Sequence, residues 1–142
     1  MPDPHNLSRF VQAQDAGGTF ERALAELRRG RKTSHWMWFV FPQVAGLGQS
    51  AMSRTYALSG LDEARAYLQH PILGSRLRAC ATAVLEAQAS TAEDILGSID
   101  ARKLQSSMTL FLRAEPADPR FQQVLDRYFD GAADAATDAL LT

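Results

Sequence analysis

Apolar residues recur at helical spacing through most of this chain, and that pattern constrains its fold more than any other feature. The clearest series keeps one helical face apolar for about three turns, and it consists of Leu73, Leu77, Cys80 and Val84. Breaks between such series fall at residues that end helices, for example Gly30 and the residue before Pro71. A chain of 142 residues also suits one domain with one core. We therefore expect a mainly α, compact single-domain fold over residues 1–142.

The stretch 36–58 is the exception, because it shows neither a clear helical period nor a clear strand period. It begins with the aromatic and branched run 36–41, which Pro42 interrupts. Two glycines soon afterwards indicate a loop. The stretch allows one or two short strands, and the sequence leaves open whether segment 34–43 is helix or strand.

Composition excludes several classes of protein. The formal net charge is −1, with 15 basic and 16 acidic residues, which argues against a general nucleic-acid binding protein. The basic run 28–32 favours a nucleic-acid contact, but such runs are more often solvated helix ends. The single cysteine, Cys80, excludes an intrachain disulfide and is typical of a reducing compartment.

Targeting signals are also missing from the sequence. The N-terminus has no basic segment followed by an apolar one, so we expect no signal peptide. No apolar run approaches the ~20 residues that a membrane helix needs. We expect a cytoplasmic protein without a membrane partner, and the sequence leaves its oligomeric state open.

Aromatic and polar side chains are interleaved in one short segment that contains both tryptophans. Trp36 and Trp38 could wall a pocket for a planar or phosphorylated ligand. Ser34, His35 and Gln43 could contact that ligand, and His35 is the candidate general acid or base because imidazole titrates near neutral pH. Residue types alone favour the alternative, in which the aromatic side chains form the core and His35 bonds to backbone groups.

A predicted helix in the second half of the chain carries hydroxyl groups on an otherwise apolar face. Lys103 and Ser107 lie four residues apart and Ser106 is beside them, so a cation and two hydroxyls could hold a phosphate. Alternatively, the hydroxyls bond to carbonyls of the preceding turn and allow close helix packing. Arg54 and Tyr56 form a further candidate pair, in which the arginine binds a phosphate and the tyrosine stacks on a base.

The sequence predicts no metal site and no bound cofactor. None of the three histidines is spaced from another as metal ligands are, and the single cysteine has no cysteine or histidine nearby. Glycine-rich nucleotide-binding motifs do not occur. From their positions, Glu21, Glu26, Asp62 and Glu63 are interpreted as ordinary surface acids of helices.

Several motifs resemble an uncharacterised bacterial family that is known as a domain of unknown function and is sometimes labelled calpastatin. The most specific is the Ser-His-Trp-Met-Trp stretch, and the full set spans 10–14, 31–43, 46–50, 64–68, 70–74 and 103–111. The similarity covers nearly the whole chain. More remotely, the sequence is similar to the YbiA-like fold, whose NADAR members act on N-glycosidic bonds of ribose-phosphate or ADP-ribose compounds. The resemblance implies a compact helical domain with a nucleotide-sugar pocket.

Together these observations predict an N-glycosidase-like hydrolase, or a binder, of a phosphorylated ribose or ADP-ribose ligand. In that site Trp36 and Trp38 form walls, His35 and Gln43 orient the sugar, Ser34 contacts the ligand, Tyr56 stacks, and phosphate contacts come from Arg54, Lys103, Ser106 and Ser107. The alternative is a non-catalytic protein-interaction module that presents an aromatic surface. A cleft joining 34–56 to 103–107 favours the ligand, whereas full burial of the tryptophans and serines favours a structural role.

Overall fold

The structure is a computed structural model that describes residues 3–141. Its helices, in chain order, are α1 (Ser8–Asp15), α2 (Thr19–Arg29), α3 (Met37–Val40), α4 (Ala51–Thr55), α5 (Leu61–Gln69), α6 (Leu73–Glu86), α7 (Ala92–Leu96), α8 (Ser98–Ala114), α9 (Pro119–Tyr128) and α10 (Ala135–Leu141). A 3-10 turn, Ala16–Gly18, joins α1 to α2. The predicted mainly α fold is confirmed. None of the helices in the described part of the chain is long and apolar enough to cross a membrane.

Local sequence signals account for several helix ends. Gly30 ends α2 in a left-handed conformation with a φ of 78°, which glycine adopts without steric cost. Asp118 caps α9 by accepting a hydrogen bond from the Arg120 N–H, and Pro119 occupies the first turn. Thr91 caps α7 through its side chain as well. These interactions join residues close in sequence, which is why the sequence alone predicts them.

The irregular stretch 36–58 forms two short helices and one β-bridge. Helix α3 lies within the aromatic run, so the segment whose structure the sequence leaves open is partly helical. Val44 and Leu58 form an isolated parallel bridge, in which the Ala45 N–H donates to Leu58 O at 2.7 Å. Pro42, which has no N–H to donate, separates the helix from the bridge. Strand pairing among residues 3–141 is therefore limited to this bridge.

Buried polar contacts hold α3 in place. A four-residue helix leaves carbonyl groups without partners inside the helix. The buried Gln14 side chain of α1 donates to Phe39 O at 2.7 Å, and the Tyr67 hydroxyl of α5 lies 3.4 Å from the same oxygen. Arg76 of α6 donates to Gln14 Oε1 at 3.2 Å. Because three other helices contribute to this network, the orientation of α3, and with it the position of Trp38, is fixed by tertiary contacts.

Helix α8 lies at the centre of the fold and packs against α5, α7, α9 and α10, while α6 packs against α2, α5 and α9. The largest fully buried side chains are aromatic, namely Trp36, Tyr67, Phe10, Phe41, Phe111 and Phe121. Contacts between their rings, with centroids from 5.1 to 5.9 Å apart, connect α1, α5, α8 and α9. Trp36 thus belongs to the core, whereas Trp38 is only half-buried.

Candidate functional site

A buried carboxylate organises the loop that follows α2. Glu26 is only 1% exposed, and its Oε1 accepts hydrogen bonds from the Thr33 N–H at 2.8 Å and the Trp36 indole N–H at 2.9 Å. Ser34 donates twice, from its N–H to Oε1 at 3.1 Å and from its hydroxyl to Oε2 at 2.5 Å. Burial raises the pKa of this carboxyl, but the four hydrogen bonds outweigh it and lower the pKa from 4.5 to about 2. The interpretation of Glu26 as an ordinary surface acid is therefore wrong.

This network involves two of the residues that we expect to contact a ligand. Trp36 is fully buried, and its indole N–H is bound to Glu26. The Ser34 hydroxyl is bound to the same carboxylate. No part of the Trp36 ring reaches solvent, so its expected role as a pocket wall is corrected to a role in the core.

A cleft of about 360 Å³ opens between this loop and the start of α8. We call it the lysine cleft, and its lining consists of Lys32, His35, Met37, Trp38 and residues 96–100. The Lys32 N–H donates to Ile95 O at 2.7 Å, which attaches the loop to the last turn of α7. The cleft is thus built from three parts of the chain, namely the loop, α3 and the junction of α7 with α8.

Two lysines share one aspartate in the lysine cleft. Asp100 lies 3.0 Å from Lys32 Nζ and 3.3 Å from Lys103 Nζ. Only 9% of the Lys32 side chain, 17% of Asp100 and 19% of Lys103 is exposed, so solvent screens these charges less than surface charges. The ammonium groups also lie over tryptophan rings, Lys32 at 5.2 Å from Trp36 and Lys103 at 4.9 Å from Trp38. Two cations facing one anion make the cleft positive, and the N-terminus of α8 adds to that potential.

His35 and Trp38 are the predicted site residues that line this cleft. His35 is exposed, so a bound molecule could exchange a proton with its imidazole. Trp38 is half-buried, which leaves part of its indole available to a ligand. Lys103 is not itself a lining residue, but its ammonium group contacts two residues that are, Trp38 and Asp100. The structure thus brings together three of the residues singled out in the sequence.

The two predicted serines do not line the lysine cleft. The Ser106 hydroxyl lies 3.1 Å from both Arg102 O and Asp134 Oδ2, so it attaches the C-terminal segment to α8. Ser107 is fully buried, and among the described residues its hydroxyl has no hydrogen-bond partner. Their expected phosphate contacts are corrected accordingly, because one hydroxyl serves packing and the other is enclosed by the core.

Three further predicted residues also lie outside the cleft lining. Arg54 is exposed in the last turn of α4. The Tyr56 ring packs at 5.6 Å from Phe10 and at 5.3 Å from Phe39, which places it beside the core. Gln43 contributes its main-chain oxygen to the β-bridge. None of the three forms a common site with the two cleft lysines.

Lys32, Asp100 and Glu26 are site residues that the sequence interpretation misses. Lys32 falls within a basic run that resembles a solvated helix end, and Asp100 resembles an ordinary first-turn acid. A usable signal was the spacing of Asp100 and Lys103, which lie three residues apart on one helix and so can pair. For Glu26 the signal was its place beside Leu27, on the face of α2 that turns toward the core.

Sequence comparison relates the whole chain, rather than this site, to other proteins. Residues 4–141 match a family whose description is "Protein of unknown function (DUF1810)". The chain belongs to this family. Membership confirms the resemblance to an uncharacterised domain family, and no match was found among curated proteins.

One solved structure shows how closely the DUF1810 fold is shared. The crystal structure of the conserved hypothetical protein Rv1873 from Mycobacterium tuberculosis, at 1.38 Å, is 49% identical in sequence to this chain. The two structures superpose with a TM-score of 0.94, and the alignment covers 98% of each chain. Within residues 3–141 of the present DUF1810 protein, no group of three His, Cys, Asp or Glu side chains is placed to hold a metal ion.

Proposed function

We propose that this DUF1810 protein binds a small phosphorylated ligand of the ribose-phosphate or ADP-ribose type in the lysine cleft and hydrolyses its N-glycosidic bond. The observation that carries the proposal is the pair of lysines, Lys32 and Lys103, held by Asp100 beside a half-exposed tryptophan. A volume of about 360 Å³ lies within the range of small-molecule sites. We take the substrate class from the resemblance to NADAR proteins that the sequence motifs suggest.

Charge and shape assign different parts of the ligand to different parts of the cleft. Each ammonium group has three N–H donors. Only one of them points to Asp100, so the others remain for phosphate oxygens. The exposed part of Trp38 offers an apolar surface to a sugar or base. The first N–H groups of α8 have no partner within the helix. They form the positive end of the helix dipole, which favours a bound anion.

His35 is the residue of the cleft suited to move a proton. In hydrolysis the bond between the anomeric carbon and the base nitrogen breaks, water supplies a hydroxyl to the carbon, and the nitrogen takes up a proton. His35 would carry the proton between the water and the leaving nitrogen. Asp100 is less suited to this task because its two oxygens each face an ammonium group. We therefore assign Asp100 to positioning the lysines.

The second candidate function is a non-catalytic protein-interaction module. The observation in its favour is Ile99, which lines the lysine cleft and is 73% exposed. A protein partner would cover such an apolar side chain, whereas a small polar ligand gains little from it. An Ile99→Ser variant, which leaves the charge of the cleft unchanged, distinguishes the two functions, because it should abolish partner binding and leave small-ligand affinity within about twofold.

Calorimetry with ADP-ribose and ribose 5-phosphate tests the main proposal. Lys103→Ala should weaken binding about tenfold or more, since a charge-assisted hydrogen bond contributes roughly 1.5–3 kcal/mol. Arg54→Ala is the matched control, because Arg54 is a cation outside the cleft, and it should leave affinity unchanged. His35→Ala should retain binding and lose hydrolysis of the N-glycosidic bond. The absence of binding by the wild type, or equal losses in the two cation variants, would overturn the proposal.

The cytoplasm remains the proposed location of the protein. Its support is Cys80, which is a free and buried thiol. Free thiols persist in reducing compartments. Fractionation of the source cells with an antibody against the protein checks this assignment.

A further inference from the structure

Three arginines from three helices line one groove on the surface of α6. Arg28 comes from α2, Arg78 from α6 itself and Arg120 from α9, and the groove encloses about 430 Å³. We call it the arginine groove, and its remaining lining residues are Ser75, Ala79, Thr82, Ala83 and Glu86. Their spacing places them along one face of α6, so small side chains form the floor between arginine walls. No residue that lines the arginine groove also lines the lysine cleft.

A buried aspartate holds two of the three guanidinium groups. Asp118, only 9% of whose side chain is exposed, accepts from Arg78 Nε at 2.9 Å and pairs with Arg120 Nη1 at 3.1 Å. Arg78 Nη1 also donates to Leu68 O at 3.3 Å. These contacts restrict the rotation of both guanidinium groups before any ligand arrives, which lowers the entropic cost of binding.

Donors remain for a ligand after these contacts are made. Within residues 3–141, no acceptor is bound to Nη2 of Arg78 or to Nε and Nη2 of Arg120. Arg28 is exposed, and within residues 3–141 its side chain has no hydrogen bond or ion pair. The three guanidinium groups outnumber the two nearby carboxylates, Asp118, which pairs with Arg78 and Arg120, and Glu86 in the lining, so the groove keeps a positive charge.

We propose that the arginine groove binds the phosphate group of a small molecule, as a second anion site separate from the lysine cleft. A phosphate has enough terminal oxygens to accept from several guanidinium forks, and Ser75 and Thr82 can donate hydroxyl hydrogen bonds to it. A carboxylate has only two oxygens and would leave donors unused. The small floor residues leave room for an anion between the arginines, and the volume of the groove is that of a small-molecule site.

NMR titration of the full chain with inorganic phosphate at constant ionic strength tests the proposal. We expect saturable shifts of the amides of residues 75–86 and of the arginine Nε–H signals. Arg28→Ala should weaken the apparent affinity about tenfold, because it removes a charged fork donor. Arg29→Ala, which changes the neighbouring exposed arginine of α2 outside the groove lining, is the matched control and should have no effect.

The remaining arms separate this site from its alternatives. Lys103→Ala should leave the shifts of 75–86 unchanged, since Lys103 belongs to the other site, and their loss would overturn the proposal. Equal weakening by Arg28→Ala and Arg29→Ala would do the same, because it would show unspecific attraction. Equally strong shifts with acetate would show a general anion site and would refute a site for phosphate. Binding of a glutamate-rich peptide without binding of phosphate would identify a protein surface and likewise refute the phosphate site.

Discussion

Replacing Glu26 by glutamine tests the central claim about the loop that shapes the lysine cleft. A glutamine carbonyl oxygen can still accept the three N–H donors, and its amide group can donate to the Ser34 hydroxyl. The variant therefore removes the negative charge and keeps the number of hydrogen bonds, with the direction of the bond to the Ser34 hydroxyl reversed. Any loss of stability then measures the preference of these donors for a carboxylate over a neutral acceptor.

The size of that preference follows from the pKa of the carboxyl. Lowering the pKa of Glu26 from 4.5 to about 2 corresponds to about 3 kcal/mol of folding free energy at neutral pH, since one pKa unit equals roughly 1.4 kcal/mol. Because the folded-state pKa lies below the unfolded-state pKa, this contribution is complete above pH 4.5. It is lost progressively as the pH falls from 4.5 to about 2.

Urea unfolding followed by tryptophan fluorescence measures the effect. We expect Glu26→Gln to lower the free energy of unfolding by about 2–3 kcal/mol at pH 7. The difference from the wild type should shrink steadily at pH 4 and pH 3. Glu21→Gln, at an exposed position of the same helix, is the control and should change stability by less than about 0.5 kcal/mol. If the free energies of unfolding of the wild type and Glu26→Gln differ by the same amount from pH 7 to pH 3, the stabilising role of the Glu26 charge is refuted.

Three further predictions follow from individual buried positions. Ser107→Ala should leave the free energy of unfolding unchanged or raise it, because the buried hydroxyl has no hydrogen-bond partner among the described residues. Ser106→Ala should lower the free energy of unfolding by about 1 kcal/mol, because it removes the contacts of the hydroxyl with Arg102 O and Asp134 Oδ2. Equal effects of the two variants in denaturant titrations would contradict this prediction. Burial raises the pKa of the Cys80 thiol to about 12, so iodoacetamide at pH 8 should alkylate it only as fast as the chain unfolds, and rapid native-state labelling would disagree. Gly74→Ala should lower Tm strongly, because a Cβ would collide with a main-chain carbonyl of α5. The free energy of unfolding should fall by more than about 2 kcal/mol. Gly60→Ala, where space is open, is its control, and an equal shift in calorimetry would count against the collision.

The cleft itself shows how far residue types can predict a binding site. The sequence identified His35, Trp38 and Lys103 as candidates, and the structure brings these three together. It could not show that Trp36 turns inward while Trp38 reaches the cleft, since both are tryptophans in one unpatterned segment. That choice depends on hydrogen bonds to side chains of other helices.

The sequence by itself determined the helical class and many helix ends of this protein. Gly30, Thr91 and Asp118 act through backbone geometry or hydrogen bonds to groups within a few residues, so their effects can be read locally. Only the tertiary structure decided the site. Lys32 and Asp100 lie far apart in the sequence, and the conformation that brings them together depends on α8 packing at the centre of the core. Burial then strengthens the interactions of these charges because it reduces their screening by solvent. Burial depends on the whole fold.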